Sequence, residues 1–204
     1  MATKQGMKVL SKDDNDAAMH IHFMKLAIEQ ANLSVPVPSG YCVGAVLVQE
    51  THPDPDSELP QDDKFQVVTT GYSRELPGNT HAEECCLTKL AILEAEEEEE
   101  RETLVGAAKA VGSSTGAKDK RRKEWIMYST MEPCSTRLSG NRSCSDRLIE
   151  SGVRRIFVGV REPDYFVKTV VGVENMVEKG IEVVQIPGFE EQCLAPNRHV
   201  LRKD

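Results

Sequence analysis

The feature that most narrows the folds open to this chain is an alternation in its C-terminal half. Three short apolar runs, "EWIMYST" starting at Glu124, "RRIFVGV" at Arg154 and "IEVVQIPG" at Ile181, are separated by stretches of helical character that stop at Gly152 and Gly180. Runs of this length that are rich in Val and Ile suit strands, and a glycine just past a periodic stretch is a helix stop. Strands of one sheet joined by crossover helices pair in parallel. Upstream, "CVGAVLVQE" reads as a strand buried on both faces and "FQVVTTGYS" as its antiparallel hairpin partner, with the polar loop "THPDPDSELPQDDK" decorating the tip. Ahead of both, Ala18, Ile21, Met24, Ala27 and Ala31 recur near helical spacing, Ser11 and Asp14 resemble a capping box, and Pro36 and Pro38 close the segment. The tail from Phe189 reads as a last short helix. The expected architecture is an α/β sandwich with a mixed sheet.

Composition decides which chemistry such a fold can serve. A chain of 204 residues fits one domain with a substantial core, so a single domain over 1–204 is expected. The net charge of -8 argues against a surface built for nucleic-acid phosphates, which needs clustered Lys and Arg, and favours a small-molecule substrate. No apolar run is long enough to span a bilayer and the N-terminus lacks the apolar core of a signal peptide, so a cytoplasmic protein without a membrane partner is expected. In that compartment the six cysteines, Cys42, Cys85, Cys86, Cys134, Cys144 and Cys193, point to metal or catalytic use over disulfides. The acidic run "EAEEEEERE" and the basic stretch "SSTGAKDKRRK" make 94–123 a charged insertion. Its acidic part is expected to be a solvated helical face or to fray, since like charges four apart repel.

The stretch "NTHAEECCLTKL", residues 79–90, carries the chemistry. A helix from Thr80 would place Ala82, Cys86, Leu90 and Leu93 on one stripe, and its first turn favours the acids Glu83 and Glu84 through the helix dipole. That reading leaves "PCSTRLSGNRSC" unexplained, where Cys134 ends a strand and Cys144 opens a helix, the place where α/β sheets gather ligands. His81, Cys134 and Cys144 make three ligands for Zn2+, and a zinc ion held by only three keeps its fourth position for water. Helix N-termini stabilise thiolates. Glu83, two residues after His81, is placed to carry a proton from that water to a ring nitrogen and then to a departing amine. His-x-Glu followed by Pro-Cys and a second Cys is the signature of zinc nucleobase deaminases.

"HAE" at residues 81–83, with "MEPC" at residues 131–134, resembles the cytidine deaminase superfamily. Within it the chain is most similar to the riboflavin-pathway deaminases that act on diaminopyrimidine phosphates, because nine residues separate Cys134 from Cys144 where other members have Cys-x-x-Cys. "MKLAIEQA", "VGAVLV" and "GIEVVQIPGFEEQCLAPNRHV" extend the likeness over most of the chain outside the loop after Glu50 and the insertion. The resemblance implies a three-layer α/β/α sandwich around a five-stranded sheet and a homodimer. It also implies zinc-dependent hydrolytic loss of the 2-amino group from 2,5-diamino-6-(ribitylamino)pyrimidin-4(3H)-one 5'-phosphate, with the stand-alone fungal type as the expected arrangement. A cytidine or deoxycytidylate deaminase and a deaminase of tRNA bases are the alternatives.

Substrate contacts implied by the resemblance fall on Asn79, Ala82, Arg137, Asn141 and Arg142, with Arg142 in "GNRSC" the nearest match to a basic residue that binds the phosphate. Guanidinium suits bidentate phosphate recognition. The chain departs from the bacterial relatives at "SGYC", residues 39–42, and at "YSRE", where they carry an Asn and a His in substrate-contact regions. Asn79 is either a substrate contact or a helix cap. Cys85, four residues after His81, is read as a small buried hydrophobe with metal ligation as its rival. His20, His22, His52 and His199 are read as core or surface residues, and Tyr165 and Phe166 as packing.

Overall fold

The computed structural model describes residues 6–52, 64–111, 122–137, 139–162 and 171–201. Six strands, β1 (Lys8–Val9), β2 (Gly44–His52), β3 (Phe65–Tyr72), β4 (Arg122–Met131), β5 (Val153–Val160) and β6 (Glu182–Gln185), form one sheet in the order β1-β6-β5-β4-β2-β3. The hairpin β2–β3 and the pair β2–β4 are antiparallel, and β4, β5, β6 and β1 run parallel. The crossovers α3 (Cys144–Glu150) and α4 (Gly172–Glu178) link β4 to β5 and β5 to β6, as the alternation requires. The expected five strands are therefore joined by a sixth. β1 is two residues long and leaves no periodic signal, yet Lys8 pairs with Val184 across the ladder and its Nζ reaches Glu182 at 2.6 Å.

Period-two alternation along the central strands supplies the cores on both faces. Val46, Val48, Ile126, Tyr128 and Phe157 meet Phe23, Met24 and Ala27 of α1 (Ala17–Ala31) and Cys193 of α5 (Glu190–Leu194). Ala45, Leu47, Met127, Ile156 and Val158 face the other way, onto Ala82, Cys86 and Leu90 of α2 (Ala82–Val111), Leu148 of α3 and Met176 of α4. His20 belongs to the first core, stacked on Phe157 at 4.1 Å and hydrogen-bonded to the Tyr128 hydroxyl at 2.6 Å.

Two local expectations are corrected and a third is narrowed. Ser11 and Asp14 form a turn ahead of α1 in place of its cap, with the Asp14 N–H donating to the Ser11 carbonyl and Asp16 standing at the N-cap. α1 ends at Ala31, before Pro36 and Pro38. The acidic run takes the helical alternative: α2 carries it as an exposed face, and Arg101 bridges to Glu98. Residues 112–121, most of the loop after His52, and Tyr165 and Phe166 lie outside the described residues.

α2 reaches the sheet by close backbone approach. A Cβ at Gly71 of β3 would stand 2.3 Å from the Ala82 carbonyl and 2.9 Å from the Cys85 Cβ, so only glycine lets the first turn of α2 rest on this strand. Gly71→Ala is expected to destabilise the protein by about 1–3 kcal/mol, the range for overpacking. Urea unfolding measures it, and an unchanged midpoint would contradict the packing described.

Candidate active site

The carboxyl ends of β4 and β5 and the N-termini of α2 and α3 meet at one end of the sheet. Cys134 follows β4, Cys144 is the first residue of α3, and His81 immediately precedes α2. The His81 Nδ1 lies 3.5 Å from the Cys134 Sγ and 3.4 Å from the Cys144 Sγ, and all three ligand atoms fall within 4.8 Å of one another. A tetrahedral ion with bonds of about 2.3 Å to sulfur and about 2.05 Å to nitrogen sets its ligand atoms roughly 3.5–3.8 Å apart, so the donor set fits a metal of that kind.

Local chemistry prepares the sulfurs. The Cys144 backbone N–H at the start of α3 donates to the Cys134 Sγ at 3.4 Å, and Ser143 caps the helix by accepting from the Asp146 N–H. Hydrogen bonding from Cys144 pulls the Cys134 thiol well below its ordinary value, against its burial and with help from His81. Cys144 moves the opposite way, raised by the same shared proton and by complete burial. The His81 imidazole is raised: burial alone would lower it, but the hydrogen bond and charge of Cys134 outweigh that.

Glu83 is buried beside the triad, and its Oε1 accepts from the Ser129 hydroxyl at 2.9 Å. Burial is the largest influence on its carboxyl and raises it above the ordinary carboxylate range, against the pull of His81. Glu84 points elsewhere. It accepts from the His81 backbone N–H at 3.3 Å in the manner of a capping box, from Arg137 at 2.6 Å and from Arg147 at 2.8 Å. Arg137 also donates to the Asn79 carbonyl. Glu84 is lowered: burial would raise it, but the bonds from Arg137 and His81 and the charge of Arg147 prevail.

A cleft opens over this centre, lined by His81, Glu83, Cys134, Asn79, Arg74 and Arg137 among others. The sequence profile of the family described as "Cytidine and deoxycytidylate deaminase zinc-binding region" matches residues 61–160. A structure of Aspergillus oryzae Rib2 deaminase, a C-terminal deletion mutant in complex with DARIPP, is 30% identical, with a TM-score of 0.60 over 87% of this chain and 88% of that one. The chain belongs to the cytidine and deoxycytidylate deaminase family. The Schizosaccharomyces pombe diaminohydroxyphosphoribosylamino-pyrimidine deaminase is 37% identical over 175 residues, 86% of this chain, which spans about a third (34%) of that protein's length. A Thermotoga maritima diaminohydroxyphosphoribosylaminopyrimidine deaminase/5-amino-6-(5-phosphoribosylamino)uracil reductase, 24% identical with a TM-score of 0.53 over 89% of this chain and 40% of that one, shares the fold.

Against that family the expected residues fall in two groups. The structure brings His81, Glu83, Cys134 and Cys144 together, and Asn79 and Arg137 line the cleft. Asn79 sits in the left-handed region at φ 56°, two residues ahead of the cap position, so it does not cap α2. Arg137 has only 2% of its side chain exposed and is held by Glu84. Ala82 is in the core, Asn141 is exposed outside the cleft, and Arg142 pairs with Glu150 beside a separate groove between α2 and α3. Sequence reasoning missed Ser129, Arg74 and Glu162. Ser129 lies in an apolar strand where a lone hydroxyl gives no signal, and Arg74 acts from a non-glycine residue at φ 67°.

Cys85 is fully buried, with its Sγ against the Tyr72 carbonyl at 3.5 Å and the Thr80 hydroxyl at 3.3 Å. Cys85→Ala is therefore expected to keep a full complement of zinc, whereas His81→Ala, Cys134→Ala and Cys144→Ala lose it. Metal analysis of the four purified variants checks this, and zinc missing from the Cys85 variant would overturn the ligand set.

Proposed function

We propose that this chain is a zinc-dependent aminohydrolase that removes the 2-amino group of 2,5-diamino-6-(ribitylamino)pyrimidin-4(3H)-one 5'-phosphate, a step in riboflavin biosynthesis. The observation that carries the reading is the buried Glu83 carboxyl beside a His/Cys/Cys group inside one cleft. The name of the S. pombe relative, a diaminohydroxyphosphoribosylamino-pyrimidine deaminase, and the DARIPP complex of the A. oryzae relative support a diaminopyrimidine phosphate as the substrate class, within which the ribitylamino form is read from the sequence resemblance. The catalytic unit is read as one domain over 1–204, working as a cytoplasmic homodimer. No helix among the described residues is long and apolar enough to cross a membrane.

In this mechanism His81, Cys134 and Cys144 would hold the zinc ion, which when bound supplies Lewis-acid activation of water near neutral pH. The chain's own groups do the rest. Glu83 takes a proton from the attacking water and passes it to the neighbouring ring nitrogen as the water oxygen bonds to C2. It then takes the second proton, from the new C2 hydroxyl, and delivers it to the amino group as the C2–N bond breaks, the C2 carbonyl forms and ammonia leaves. A shuttle of this kind works best when its pKa lies near the operating pH, and burial moves the Glu83 carboxyl in that direction. Ser129, fixed in β4 and also within 2.8 Å of the Met131 carbonyl, fixes the rotamer of Glu83.

Glu83→Gln preserves shape but cannot carry a proton. Ammonia release from the ribitylamino phosphate is expected to fall at least about a thousandfold, within the range for general acid–base groups, with zinc content unchanged. The ribosylamino phosphate, cytidine and deoxycytidylate serve as comparison substrates. Faster turnover of cytidine or deoxycytidylate by the unmodified protein would replace the proposed substrate.

A further inference from the structure

The mechanism gives the Glu162 carboxyl in the cleft no task. Glu162 follows the carboxyl end of β5 and lines the same cleft as His81, Glu83 and Cys134. Its Oε2 is shut off from solvent and has no hydrogen-bond partner among the described residues. A buried acceptor left in that state is costly, and in native proteins it usually marks a place where something else donates. The two arginines of the cleft spend their terminal nitrogens elsewhere: Arg137 on Glu84 and the Asn79 carbonyl, and Arg74 on the Val35 and Tyr41 carbonyls and the Cys42 sulfur.

The position of Glu162 narrows the donor. Val160 pairs with Met131 at the end of the parallel ladder and its carbonyl accepts from the Glu132 N–H at 2.9 Å, so Glu162, two residues further on, runs alongside the segment that carries Cys134. That places it by the reacting ring more than by a chain leading away to a phosphate. An oxygen there with its lone pairs unpaired is a poor neighbour for carbonyl edges and ring nitrogens that offer lone pairs of their own, and it favours an edge that offers N–H. The substrate read above carries an amino group at C5, where cytidine-type pyrimidines have only hydrogen.

We propose that Glu162 is a specificity-determining substrate contact whose Oε2 accepts a hydrogen bond from the 5-amino group of the pyrimidine. The inference rests on the deaminase reading, and it explains how one site could tell a 5-aminopyrimidine from a cytidine. A site built to hydrogen-bond an N–H strongly rejects an analogue that lacks it, because the buried acceptor is then left unpaired.

The test compares the full-length zinc-loaded protein with E162L and E162Q on two substrates, the diaminopyrimidine phosphate and its analogue with hydrogen at C5. The unmodified protein should favour the first by about a hundredfold or more in kcat/KM, in line with rejection of analogues that leave a buried acceptor unpaired. E162L should lose about a hundredfold on the first and under about threefold on the second, so discrimination collapses. E162Q keeps an acceptor oxygen at the same reach and should recover roughly tenfold of the loss, about the worth of one hydrogen bond. Zinc content and melting temperature, unchanged in both variants, separate lost recognition from damaged folding. If E162L does not fold, E162Q alone decides, through a loss confined to the 5-amino substrate. Equal losses on both substrates, or none on either, would overturn the role of Glu162 while leaving the deaminase reading intact. An unmodified protein that releases ammonia from neither compound overturns both together.

Discussion

One carboxylate holds the catalytic end of this molecule together. Glu84 caps the first turn of α2 through the His81 N–H, receives Arg137 from the loop after β4, and receives Arg147 from α3. Those three segments carry His81, Cys134 and Cys144 respectively, so a single side chain sets the spacing of all three prospective ligands. The Arg137 guanidinium is almost fully enclosed. Breaking a pair in such a setting leaves an uncompensated charge and costs about 3–5 kcal/mol, against at most about 1 kcal/mol for an exposed pair. Glu83 and Glu84 are neighbours in sequence with opposite electrostatic fates. Burial raises the first toward proton exchange, while two arginines keep the second ionised as a strut.

The parts of the fold that sequence made legible are those governed by local periodicity. The crossovers stopping at Gly152 and Gly180 predicted parallel pairing of β4, β5 and β6, and "GAVLVQE" alternates between two cores as a doubly buried strand does. β1 escaped because a two-residue strand has no period, and its place is set by the ladder of β6. The turn at Ser11 and Asp14 carries the right residues for a cap, but the chain there precedes the helix by a full turn.

In the candidate site, the motif residues were legible because metal chemistry restricts both residue type and position. The polar residues around them were not, since charge alone does not reveal a partner. Arg137 and Arg142 look equivalent in "STRLSGNRSC". One folds inward onto Glu84 and the other outward onto Glu150, a choice fixed by which helix each faces. Glu162 had no spacing to betray it, and it became visible only when β5 delivered it to the cleft with an oxygen unpaired.

One wall of the cleft is braced by a segment distant in sequence. Asn197, fully enclosed in a 3-10 turn near the C-terminal end, accepts from the Cys42 N–H at 2.6 Å and donates to the Cys42 carbonyl at 3.1 Å, bridging 155 positions of sequence. Cys42 adjoins Tyr41 and Val43, which line the cleft. During synthesis, the residues meant for the metal therefore emerge well before this brace exists. The binding chamber is finished only once the segment carrying Asn197 has been made, so a nascent chain can carry every reactive group and still lack the enclosure they need.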